Sequence, residues 1–102
     1  MVWHRAVKLE NIEDYSVVGL EIEGRKVALY RLAGKVYATD NICTHAYALL
    51  SDGYLEDGCI ECPLHQGRFD IVTGKGQGAP IGADLQTFLV KEEDGWALVD
   101  IP

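Results

Sequence analysis

A chain of 102 residues is one domain, long enough to bury about two-thirds of its unfolded surface without help from disulfides. A formal charge of −7 excludes nucleic acid as a partner, because a phosphate backbone needs a basic face. No apolar run approaches the ~20 residues of a membrane span, and no export or lipid signal is legible, so a cytoplasmic protein with no membrane association is expected. Three cysteines are an odd count, which speaks against a disulfide framework and fits a reducing compartment. The surplus acids serve solubility, or steer docking onto basic proteins in a way that fades with salt.

Short alternating or apolar runs separated by turn residues predict antiparallel β-structure with little helix. Residues 3–9 read as a first strand, and residues 11–14 as a turn or one short helical turn. Strands are expected at 17–22 and 26–32, joined at Glu23-Gly24-Arg25, where glycine is free to take positive φ. Ala33-Gly34 then turns the chain into a strand over 35–39. A smaller hairpin is expected from 53–55 and 59–61, turning at Glu56-Asp57-Gly58, with a loop at 43–50 before it and another from Cys62 after it. The two loops would thus stand on opposite ends of this hairpin, face to face. A strand over 69–72 follows, then a glycine-rich connection at 74–82. A last hairpin pairs 85–91 with 96–100 over Glu92-Glu93-Asp94-Gly95. About ten strands suggest an all-β, sandwich-like base that carries a smaller subdomain at about residues 41–72.

That subdomain holds the chemistry. Cys43-Thr44-His45 and Cys62-Pro63-Leu64-His65 each pair one thiol with one imidazole, four ligands of the kind a tetrahedral zinc or an iron–sulfur cluster requires. Zinc sites usually pair like with like, at Cys-x(2–4)-Cys and His-x(3–5)-His spacing, so a Cys-x-His gap fits zinc poorly. The mixed halves suit two metals side by side, one held by the cysteines and its neighbour by the histidines.

Cys43-Thr44-His45 with Cys62-Pro63-Leu64-His65-Gln66-Gly67-Arg68-Phe69-Asp70 resembles the two-loop signature of Rieske 2Fe-2S proteins. It is most similar to the small ferredoxins of bacterial aromatic-ring-hydroxylating dioxygenases. The likeness extends to Tyr37-Ala38-Thr39-Asp40-Asn41, to Leu50-Ser51-Asp52-Gly53-Tyr54-Leu55 and to Thr73-Gly74-Lys75. It implies a Rieske iron–sulfur fold with one 2Fe-2S cluster, Cys43 and Cys62 on the inner iron, and His45 and His65 on the outer iron. It also gives Gly78-Ala79-Pro80 a place in a third loop covering the cluster.

Two thiolates and two neutral imidazoles leave an oxidised 2Fe-2S core uncharged, where four thiolates would leave it at −2. An added electron is then easier to accept, which raises the potential to about −150 to +300 mV, against about −400 mV for the plant-type cluster. High-potential members of the family add a disulfide-forming cysteine to each loop, at positions held here by Ala48 and Leu64. They also place serine and tyrosine hydroxyls beside the sulfurs, at positions held here by Gly67 and Phe69. Fewer hydrogen-bond donors stabilise the reduced cluster less, so a potential near the low end of the Rieske range is expected.

The resemblance implies a one-electron shuttle rather than an enzyme. A flavoprotein reductase using NADH or NADPH would supply the electron and the terminal Rieske dioxygenase would receive it, with no small-molecule substrate. A catalytic mononuclear iron takes two His and a carboxylate, and only His4 remains once the motif has used His45 and His65. Ala46, Tyr47, Gln66 and Pro80 would share the docking patch around the two histidines. A permanent small subunit of a larger oxidoreductase, nitrite-reductase-like, is one alternative, and a structural zinc module another. Cys59 reads as a buried thiol on a strand, His4 as a surface or edge-strand residue, Trp3 and Trp96 as core, and Tyr47, Leu64 and Phe69 as packing around the loops. Gly74-Lys75-Gly76-Gln77-Gly78 matches no phosphate-binding fingerprint.

Overall fold

The computed structural model describes residues 2–44, 48–64, 67–77 and 84–102, and among them the chain is built from eleven strands and two single 3-10 turns. The strands are β1 (Trp3–Lys8), β2 (Ser16–Ile22), β3 (Arg25–Leu32), β4 (Lys35–Asp40), β5 (Tyr54–Glu56), β6 (Cys59–Glu61), β7 (Arg68–Asp70), β8 (Gly76–Gln77), β9 (Thr87–Phe88), β10 (Val90–Glu93) and β11 (Trp96–Asp100). They form three antiparallel sheets, ordered β1-β11-β10, β2-β3-β4-β9 and β5-β6-β7-β8. The all-β expectation holds.

Four hairpins turn on two residues of which the second is glycine: Glu23-Gly24, Ala33-Gly34, Asp57-Gly58 and Asp94-Gly95. All eight turn residues have positive φ, between 50° and 83°, the mirror-image turn whose twist matches that of paired strands. Glycine at the second position removes half of the left-handed strain, which is why these turns were readable from the chain.

β3 organises the interior. Val27 and Leu29 point to one face and Ala28 and Tyr30 to the other, and none of the four has measurable exposure. Val27 and Leu29 join Ile12, Val36, Ala38, Ala97 and Val99 in the core between the first two sheets. Ala28 and Tyr30 join Cys43, Leu50, Ile60, Cys62, Phe69 and Ile71 in a second core against the third sheet. A strand buried on both faces reads as a continuous apolar run, as Val27-Ala28-Leu29-Tyr30 does. At ~1.5–3 kcal/mol for each fully buried large apolar side chain, this one strand locks both layers to the middle sheet.

Several boundaries differ from the sequence reading. The expected strand 85–91 divides at Leu89 into β9, which pairs with β4, and β10, which pairs with β11, so the chain changes sheet there. The strand from 69 ends at Asp70, whose carboxylate accepts the Val72 and Thr73 N–H groups, both at 2.9 Å, and bends the chain into a turn. The short helical turn lies at Leu9–Asn11, two residues earlier than the predicted bend at 11–14. Trp3 and Trp96 are not core but half-buried on the first sheet: Lys91 Nζ lies 4.5 Å from the Trp3 ring centroid, and the Arg5 guanidinium 5.3 Å from that of Trp96. Long cationic stems covering a ring remove it from water without a protein core behind it.

Candidate metal centre

Each cysteine of the motif ends a strand-like arm and closes a loop in the same way. The Cys43 N–H donates to the Ala48 carbonyl at 3.0 Å, and the Cys62 N–H donates to the Gly67 carbonyl at 2.7 Å. Both bonds run from a residue to the one five further on, so each closes a loop of the same length. One rung further down, Ile42 pairs with Leu49 and Glu61 with Arg68. The sequence equivalence is imperfect in one respect: His45 is the second residue past its arm and His65 the third. Both histidines lie outside the described residues, as do Ala46, Tyr47, Gln66 and Gly78-Ala79-Pro80 of the expected covering loop.

Cys43 is 4% exposed and Cys62 1%, neither is in a disulfide, and both belong to the apolar cluster beneath the loops. Two thiols buried in one apolar cluster are either inert packing or ligands, since an uncompensated buried thiolate is costly and metal binding compensates it. Soft sulfur donors of this kind fit the iron of an iron–sulfur cluster.

The two loops share one foot. β5 and β6 form a hairpin whose open end is the pair Tyr54 and Glu61. The chain enters β5 from the first loop and leaves β6 into the second, so both loops rise from the same end of the hairpin and not from opposite ends. The period-2 alternation of the third sheet puts Leu55, Ile60 and Phe69 on its inner face, with Phe69 fully buried in the cluster that holds both cysteines. Its outer face carries Glu56, Cys59 and Asp70 in one row, and Tyr54, Glu61, Arg68 and Gln77 in the next. Cys59 is therefore half-buried on the outer face and not a buried thiol, because Ile60 takes the inward position. Leu64, expected as packing, is 63% exposed beside His65 in sequence.

Beneath the site lies a polar thread that the sequence reading missed. Thr39 Oγ1 donates to the Asp40 carbonyl at 2.8 Å, so its only proton is committed, and the Tyr30 hydroxyl 2.8 Å away must donate to it. Burial pushes the Tyr30 phenol far above its ordinary value. The signal was a Tyr and a Thr set diagonally on adjacent strands, Tyr30 opposite Tyr37 and Thr39 opposite Ala28, visible only once the register is known. His4 lies on the edge strand β1, with Nδ1 4.0 Å from a Glu23 carboxylate oxygen, far in the topology from the loops. Among the described residues no helix is long and apolar enough to cross a membrane.

Comparison with known proteins places these features. A family model described as the Rieske [2Fe-2S] domain matches residues 2–89. The ferredoxin component of the naphthalene 1,2-dioxygenase system of Pseudomonas putida is 50% identical over 99 residues, covering 97% of this chain and 95% of that protein. The solved Sphingomonas yanoikuyae B1 ferredoxin superposes with a TM-score of 0.91 at 39% identity, covering 97% of this chain and 98% of that one. A ferredoxin solved in complex with the reduced oxygenase of carbazole 1,9a-dioxygenase gives a TM-score of 0.90 at 32% identity, over 95% of this chain and 91% of that chain.

Proposed function

The chain belongs to the Rieske [2Fe-2S] family, and from that premise we propose that it is the ferredoxin of an aromatic-ring-hydroxylating dioxygenase system, an electron carrier and not an enzyme. The observation that carries this reading is coverage. The naphthalene system's ferredoxin component is matched over 95% of its own length, so the likeness is to a whole carrier and not to one domain of an oxygenase. The alternative of a permanent small subunit in a nitrite-reductase-like complex has less support, since the relative above is named as a ferredoxin component. A zinc module is disfavoured by membership of a 2Fe-2S family.

One 2Fe-2S cluster, when bound, takes up and returns a single electron. Cys43 and Cys62 would hold its inner iron from the buried side, and His45 and His65 its outer iron, within the subdomain at about residues 41–72. The protein's part is to position and insulate. Phe69 and the apolar residues around both cysteines keep water from the sulfur side. The exposed Leu64 beside His65 offers a small apolar contact to a partner. A ferredoxin of a related system is seen in complex with its oxygenase. Here too the terminal oxygenase would receive the electron, and an NAD(P)H-dependent flavoprotein reductase in the cytoplasm would supply it. One patch would serve both partners in turn, so each contact must be small and short-lived.

The test is reconstitution. Reductase, this chain and oxygenase together should oxidise an aromatic substrate with NAD(P)H, and omission of this chain should abolish turnover. Undiminished turnover without it would refute the proposal.

A further inference from the structure

Between the two cysteine loops lies a single 3-10 turn, Leu50–Asp52, followed by Gly53. Both ends of this turn are engaged, each with the foot of a different loop. On the first-loop side, the buried Asn41 engages Ser51 with both ends of its amide: Nδ2 donates to Ser51 Oγ at 2.9 Å, and Oδ1 accepts the Ser51 N–H at 2.8 Å. The Asn41 carbonyl accepts the Leu50 N–H at 2.7 Å, which continues the ladder that ends at Cys43 and Ala48. On the second-loop side, a Cβ at Gly53 would overlap the carbonyl oxygen of Glu61, the residue that precedes Cys62. Gly53 has φ −93°, which any residue can adopt, so glycine is needed there for closeness and not for backbone freedom.

The middle sheet completes the arrangement. A Cβ at Gly19 on β2 would stand 2.5 Å from Ser51 Oγ and 2.7 Å from Asn41 Nδ2, so the Asn41–Ser51 pair is pressed against β2 at a second point of close approach. The turn is thus pinned to the base and touches both loop feet. Leu50 itself is fully buried in the cluster that contains both cysteines.

We infer that Asn41, Ser51 and Gly53 are positioning residues that set the separation of Cys43 from Cys62. The inference rests on the reading that these cysteines bind the cluster. A rigid spacer matters for that task because two thiolates must meet one iron within a few tenths of an ångström. Loops on independent hairpins would relax separately, whereas a shared turn makes one movement displace both. Ser51→Ala removes a hydroxyl and leaves Asn41 Nδ2 without that acceptor in a buried place. Gly53→Ala drives the Glu61 carbonyl, and the Cys62 that follows it, away from the first loop.

The experiment compares these variants with Val99→Ala, a cavity in the other core, remote from the loops. For each purified protein we would measure iron and sulfide content, EPR g-values of the reduced form, the rate of cluster loss, and Tm. Ser51→Ala is expected to shift the g-values and to lose its cluster about fivefold faster, as one lost buried hydrogen bond predicts. Ser51→Thr, which keeps the hydroxyl, should restore both, and Val99→Ala should lower Tm while leaving the g-values unchanged. Gly53→Ala should show the larger shift, and the Ser51 pair decides the matter if that variant does not fold. If Ser51→Ala lowers Tm but keeps the unmodified g-values and loss rate, the residues are structural and the inference is wrong. Absence of iron and sulfide from the unmodified protein would instead overturn the cluster reading beneath it.

Discussion

Cys62 closes its loop on Gly67 through a 2.7 Å backbone hydrogen bond, and Cys43 closes on Ala48 through the equivalent bond at 3.0 Å. Their N–H groups are spent on loop closure, so what each cysteine offers inward is its sulfur. Replacing either by serine should abolish the 2Fe-2S absorption and the iron content together. Cys59→Ser, on the outer face of the third sheet, should leave both intact. Iron and sulfide analysis of the three variants checks this, and retention of the cluster by Cys43→Ser or Cys62→Ser would contradict the ligand assignment.

Phe69 is fully buried in the cluster of side chains that includes both cysteines. A hydroxyl added at its ring edge enters an apolar site where sulfur is the natural acceptor, and a donor to sulfur favours the reduced state. Phe69→Tyr and Gly67→Ser should each raise the midpoint potential by tens of millivolts, where about 59 mV is tenfold for one electron. Potentiometric titration reads this directly. Unmoved potentials in both variants would refute the hydrogen-bond argument for the expected low potential.

Tyr30 is held neutral by burial, its pKa raised above the ordinary 10.0. The unfolded chain ionises near 10 while the folded one does not. The stability from burying this phenol is therefore complete below pH 10 and is lost as pH rises toward the folded value, at about 1.4 kcal/mol per pH unit. Tyr30→Phe removes that loss, and it also deprives Thr39 of its partner. It should be less stable than the unmodified protein at neutral pH and should lose less on going from pH 10 to pH 11. Denaturant midpoints at the two pH values provide the comparison, and parallel losses would remove Tyr30 from the account.

Leu64 is exposed within the second loop, and charge there meets any partner that approaches His65. Leu64→Glu should slow electron transfer to the oxygenase and from the reductase by roughly tenfold, the effect of ~1.4 kcal/mol at one contact. Stopped-flow rates with each partner check it. Unchanged rates would place the docking patch elsewhere.

Much of this molecule was legible in its chain, for identifiable reasons. Glu23-Gly24, Ala33-Gly34, Asp57-Gly58 and Asp94-Gly95 announce two-residue hairpins, because the chemistry of such turns is local. The run Val27-Ala28-Leu29-Tyr30 announces a strand with two covered faces. What escaped depends on partners distant in sequence. Leu89 looks like the middle of one strand, yet the chain changes sheet there because Phe88 pairs with Ala38 of β4 while Val90 pairs with Val99 of β11. Trp3 and Trp96 look like core, yet cations supplied by other strands of the same sheet cover them. In the site, two cysteines and two histidines suggested a cluster, but the roles of Asn41, Ser51 and Gly53 emerge only from contacts across the turn.

An anaerobic reductive titration followed by EPR reads the one-electron Rieske chemistry of this chain at its source. The protein should be red-brown, take up one electron per chain and develop a single reduced 2Fe-2S signal with low average g. A colourless protein holding only zinc, or one that takes up no electron, would contradict that chemistry.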